Sequence, residues 1–234
     1  MTIDTDDLLN SIVESFAKMN YIKPEEIPNI DLYMDQVTTF MDERLKSSTR
    51  VHTDEKLMTK TMINNYAKND VIPPPVRKKY NKEHLLILIM IYYFKSILQI
   101  NDIKDLMDPI VSKFFDSGFD YGIEDVYREI FDDKSIQFSD ICNEVIEQYK
   151  DSCGKFEDAP ESEKDYLQLY AFVCKLGCDV FIKKLMIEKI VDSLREHRDE
   201  EKTNEKKEKE SSNKYDISVD KKAEKAKEKA KKEK

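Results

Sequence analysis

Glycine occurs only four times in the 234 residues. Tight turns between strands usually call for glycine, whereas helices carry long charged side chains on their wet faces. Scarce glycine together with 37% charged residues points to an all-α fold. Long apolar runs are missing too. The longest, Leu85–Phe94, makes about 15 Å of helix, half of what a bilayer core requires. It is expected to be a buried core helix in a protein that does not span a membrane.

The acidic N-terminus, Met1–Asp7, lacks the basic and apolar regions of a secretory signal, so a cytoplasmic protein is expected. Cys142, Cys153, Cys174 and Cys178 form no C-x-x-C pair, and only His52, His84 and His197 could complete a metal site. Buried structural thiols are expected, with no metal and no cofactor. No glycine-rich phosphate loop occurs, and nothing gathers a nucleophile, a base and an oxyanion donor. Paired carboxylates such as Glu124-Asp125 and Asp132-Asp133 fall on the wet sides of amphipathic helices. The expectation is a binding protein, not an enzyme.

What is present is a sizeable core, from 40% hydrophobic residues, and an uneven distribution of charge. Residues 1–49 carry a net charge of −6 and residues 96–198 one of −10. Between them, residues 50–95 hold 9 basic and 4 acidic side chains, a net of +5. One basic face flanked by acidic surroundings suits a protein that presents a single surface to phosphates.

Apolar periodicity predicts helices over Leu8–Met19, after Asp31 as a cap, and from Thr59 as a cap to about Lys68. Further helices are expected from Asn81 as a cap through Phe94, and over Ile103–Phe115, Ile123–Phe131, Phe138–Tyr149 and Tyr166–Leu194. Ser152–Glu163 reads as a connection. Three domains follow: 1–108, helical with the basic segment; 109–198, an acidic helical bundle; and 199–234, a Lys/Glu-rich tail expected to be disordered or only transiently helical.

Within the basic segment, Met62, Ile63 and Tyr66 share one helical face, and Lys60, Thr61, Asn64, Asn65 and Lys68 share the other. That outer face is amide, hydroxyl and ammonium, able to donate to phosphates and, through asparagine, to pair with adenine edges. Pro73-Pro74-Pro75 forbids helix, and Arg77-Lys78-Lys79-Tyr80 follows as a basic wing, expected as a short hairpin near Val76–Tyr80.

Thr59–Leu98 resembles the DNA-binding head of MerR-type transcription regulators, in Tyr66, Val71-Ile72-Pro73-Pro74, Arg77-Lys78-Lys79 and Tyr80-Asn81-Lys82-Glu83-His84-Leu85. Asn64 stands where that family has arginine, and Asp70 where it has glycine. The wing is shorter, and the connection before Thr59 is longer. Ile27–Pro109 is also similar to a family of low-GC Gram-positive bacteria catalogued as a domain of unknown function (number 1836), through Ile30–Val37, Leu57–Tyr66 and Pro73–Phe94. The resemblances imply a winged helix-turn-helix half joined to a helical bundle, in a regulatory setting.

The functional expectation is sequence-specific binding of double-stranded DNA by a transcriptional regulator through Lys60, Thr61, Asn64, Asn65, Lys68, Arg77, Lys78, Lys79 and Tyr80. Two other readings stand beside it. The basic run is an ordinary solvated face, or the acidic helical half is a protein-interaction adaptor. A homodimer is expected through Tyr166–Leu194, with intramolecular packing as its alternative. The aromatics Phe114, Phe115, Phe119, Tyr121, Tyr127, Phe131 and Phe138 are expected to pack the core, with a small-molecule effector pocket as the sharper reading.

Overall fold

A helix that is apolar on every face is stable only when protein surrounds it. From Leu85 to Ile91 every side chain is buried, each contributing about 1.5–3 kcal/mol for a leucine- or isoleucine-sized group. The computed structural model describes residues 5–17, 21–46, 56–118, 120–131 and 138–232, and it is all-α apart from one two-stranded ribbon. The helices are α1 (Thr5–Ala17), α2 (Met34–Leu45), α3 (Lys60–Lys68), α4 (Lys82–Phe94), α5 (Ile100–Phe114), α6 (Ile123–Phe131), α7 (Phe138–Cys153) and α8 (Glu161–Lys232). A 3-10 turn, Pro24–Glu26, precedes strand β1 (Leu32–Tyr33), and β2 (Lys79–Tyr80) precedes α4. The strands pair antiparallel, Leu32 opposite Tyr80 and Tyr33 opposite Lys79.

The chain forms two compact units, Met1–Glu188 and Lys189–Lys234. In the first, α4 is central and packs against α6 and β2. Tyr21, Tyr93, Tyr127 and Phe131 stack within 5.7 Å of one another's ring centres along the contacts they make. The buried Tyr127 hydroxyl donates to the Ile22 carbonyl at 2.8 Å. Burial pushes the phenols of Tyr93 and Tyr127 well above their ordinary pKa. Lys82 and Arg128 both pair with Glu124, at 2.6 and 2.7 Å, and Arg128 also reaches Glu25. The second unit is the distal part of α8.

Several sequence expectations are corrected. Asp31 does not cap α2; Leu32-Tyr33 extends into the ribbon, and Tyr33 is the N-cap residue, its N–H donating to Gln36 at 2.9 Å. The boundary drawn at 108/109 falls inside α5, because α6 buries its apolar face on α4 and stays with the N-terminal helices. The connection before α8 is shorter than Ser152–Glu163, since α7 runs to Cys153 and α8 starts at Glu161. The tail of residues 199–234, expected to be disordered or only transiently helical, is helical to Lys232. Lysine, glutamate and alanine favour helix even where no core can form. Of the four thiols only Cys142 is buried; Cys153, Cys174 and Cys178 are exposed.

Of the aromatics expected to pack the core around 114–131, Tyr127 is buried, Phe114, Phe115 and Phe131 are half-buried with Phe115 against His84, and Tyr121, beside Phe114, is exposed. Phe119, the Phe138 side chain, Asp132, Asp133 and His52 lie outside the described residues. Among the described residues no group of histidines, cysteines and carboxylates is placed to hold a metal. Among the described residues no helix is long and apolar enough to cross a membrane.

Candidate nucleic-acid interface

Helix α3 begins where Thr59 accepts a hydrogen bond from the Met62 N–H at 3.2 Å, as an N-cap does. Ile63 and Tyr66 are buried, while Lys60, Thr61, Asn64, Asn65 and Lys68 are exposed. The division of faces predicted by the helical period is therefore the one observed. The helix stops in a Schellman arrangement. Val71 N–H reaches the Tyr66 carbonyl at 2.9 Å, and Asp70 N–H reaches Ala67 at 3.3 Å. Asp70 takes the left-handed position, φ 54°, that glycine usually fills.

After the prolines, Val76-Arg77-Lys78-Lys79 turns back on itself, with the Lys79 N–H donating to the Val76 carbonyl at 3.0 Å. Both central residues are left-handed, Arg77 at φ 51° and Lys78 at φ 65°. This is the geometry of a type I′ hairpin turn, which Asn-Gly normally supplies. Left-handed backbone costs about 1–2 kcal/mol for each residue with a Cβ, yet both sites here hold long cations. Neither Arg77 nor Lys78 has an ion-pair or hydrogen-bond partner among the described residues, and the same holds for Lys68. Val76 is exposed beside them.

Tyr80 is corrected as a contact residue. Strand alternation turns Lys79 outward and Tyr80 inward. Tyr80 is only 2% exposed, and its ring stands edge-on to His84 at 5.5 Å. His84 in turn closes the start of α4. Its N–H donates to Asn81 Oδ1 at 3.1 Å, and the Asn81 N–H donates to His84 Nδ1 at 3.2 Å. Burial holds the imidazole below its ordinary pKa, against an upward pull from the Pro73 and Pro74 carbonyls.

The turn and α3 meet at β1 and the first turn of α2. The Lys79 ammonium lies over the Tyr33 ring, 5.2 Å from its centre. The Lys60 ammonium is paired with Asp35, whose carboxyl it holds below the usual carboxylate range. Only Met34 separates Tyr33 from Asp35, so β2 and the start of α3 are anchored side by side.

Residues 22–130 match the model of one family, Domain of unknown function (DUF1836). No curated protein and no solved structure matches the chain. The matched stretch takes in β1, α2 to α5, nearly all of α6 and every candidate contact residue, and it leaves out α1, α7 and α8.

Two residues of this surface escaped the sequence reading, Tyr33 and Asp35. The available signal was alternation around Leu32, with a buried leucine beside an exposed tyrosine, but two residues are too few for a period to register. Between α3 and the start of α5 a cavity of about 480 Å³ is lined by Met62, Asn65, Tyr66, Lys95, Leu98 and Ile103, among others. Lys95 donates to the Leu57 carbonyl and lies 4.8 Å from the centre of the Tyr92 ring, which ties the segment before α3 to the end of α4.

Proposed function

We propose that the surface formed by α3 and the Val76–Lys79 turn binds double-stranded DNA, and that the protein is a sequence-specific regulator of transcription. The observation that carries this reading is the turn. Two adjacent cations occupy left-handed backbone that glycine would fill at lower cost, and no carboxylate among the described residues neutralises them. Strain kept at a surface site is a mark of function, and unpaired cations at a hairpin tip suit phosphates flanking a groove.

Helix α3 supplies the complementary part. Its exposed face carries Thr61, Asn64 and Asn65, short donors and acceptors that suit base edges, with Lys68 at its end for a phosphate. Lys79 and Lys60 contribute charge from the anchored edge. The test is a mobility or anisotropy titration with random and genomic duplexes across a range of salt. Changing Arg77, Lys78 and Lys79 together to Gln is expected to weaken binding to every sequence and to flatten the salt dependence by up to three units. Unchanged affinity and salt slope in that variant would remove the reading and favour the adaptor alternative.

A further inference from the structure

Helix α8 presents two faces of opposite character within the first unit. One packs on α7: Phe172, 5% exposed, meets Tyr149 edge-on at 5.3 Å, and Lys175 pairs with Asp151 at 2.6 Å. The other carries Tyr166, Tyr170, Val173, Val180, Phe181 and Leu185 into solvent, with Val180 60% and Phe181 62% exposed. Tyr166, Tyr170, Val173 and Phe181 fall in line at multiples of the helical period, with Val180 and Leu185 on either side, so they form one stripe of about 30 Å along the axis. Ile182 and Met186 are exposed too, but on the opposite side of the helix, in line with Phe172 and Lys175 and beyond the part of that side that packs on α7. Contiguous apolar surface on this scale marks an interaction site.

Gly177 lies in the middle of that stripe. A Cβ there would meet nothing within 4 Å, so nothing in the described chain needs the glycine. In a helix interior it costs about 1 kcal/mol relative to alanine. A glycine on an exposed apolar helix face allows another backbone to approach closely.

We infer that α8 pairs antiparallel with α8 of a second copy, crossing at Gly177. The stripe complements itself about that residue, as a twofold interface requires. At equal distances on either side, Val173 faces Phe181 of the second copy, and Cys174 faces its Val180. Further out, Tyr170 faces Lys184, where an ammonium can sit over the ring, and Tyr166 faces Glu188, where the phenol can donate to the carboxylate. The centre is apolar and the two ends are polar. An unrelated partner would impose no such symmetry on this helix. The pairing does not depend on what α3 binds.

The same geometry sets Cys174 and the second copy's Cys178 about 3 Å apart along the axis, both on the exposed face. The experiment is sedimentation of the full chain at micromolar concentration, followed by copper-phenanthroline oxidation in air and peptide mapping. A dimer is expected, cross-linked between Cys174 and Cys178, with the cross-link lost in Cys178→Ser. Gly177→Leu and, separately, Phe181→Glu are expected to raise the dimer dissociation constant at least tenfold while circular dichroism stays helical. A monomer at all concentrations, a cross-link running through Cys153, or a dimer indifferent to both substitutions would each overturn the pairing.

Discussion

Lys60 is ion-paired with Asp35, so one of the basic groups on the α3 face is already engaged by a carboxylate from the first turn of α2. A phosphate approaching this edge must compete with Asp35. Asp35→Asn is expected to strengthen duplex binding severalfold and to steepen the salt dependence by up to one unit, because Lys60 becomes free to displace a counterion. The pair is exposed, so thermal stability should change little. Weaker binding in Asp35→Asn, measured by anisotropy at several salt concentrations, would place the phosphates elsewhere.

The turn is expected to separate stability from binding. Replacing Arg77 and Lys78 together by glycine relieves two left-handed backbones and should stabilise the fold by about 1 kcal/mol, after the greater freedom of glycine in the unfolded chain is allowed for. The same change removes two unpaired cations and should cut affinity for all duplexes. Urea denaturation and DNA titration of one preparation read both effects. A variant that is more stable and binds equally well would show that the cations have no part in binding.

Asn64 and Asn65 project from α3 on its exposed face, and neither side chain supports the core. Asn64→Ala is expected to leave the melting temperature unchanged and to relax preference at one base pair by about 1–3 kcal/mol if the contact is bidentate. Selection from a randomised duplex library, compared with wild type, measures this directly. Tyr66→Ala, by contrast, removes a buried ring from the opposite face and should mainly destabilise the fold, by about 3–5 kcal/mol.

His84 makes stability depend on pH. Its folded pKa is lowered by burial, so between that value and 6.5 the unfolded chain binds more protons than the folded one. The contribution is therefore complete above pH 6.5 and is lost progressively as pH falls through the folded value. Urea midpoints from pH 7.5 down to 5.5 should fall, and His84→Gln should flatten the slope over that window. Since His84 lies against Tyr80 and the α4 cap, the acid-sensitive element is the base of the basic turn.

Much of the fold was legible because helix has a period. The α3 faces, the Thr59 and Asn81 caps and the buried run of α4 each follow from residues within one or two turns of each other, and local chemistry decides them. The candidate surface was legible in the same way where it lies on a helix: Lys60, Thr61, Asn64, Asn65 and Lys68 are all exposed as expected. Tyr80 was misread because a two-residue strand gives no alternation to count, and its inward direction is set by pairing with Leu32, 48 positions away.

Sequence by itself determined the all-helical class, the positions of the helices before α8 to within a few residues, and the concentration of positive charge in residues 50–95. These depend on composition and on neighbours three or four residues apart. Tertiary structure alone decided that β1 pairs with β2, that Asp35 engages Lys60, that α6 joins the N-terminal helices, and that most of the thiols face outward. Each of these outcomes depends on contacts between segments distant in sequence. Such contacts form where the competition to bury apolar surface is settled for the whole chain at once, and no local pattern records that result.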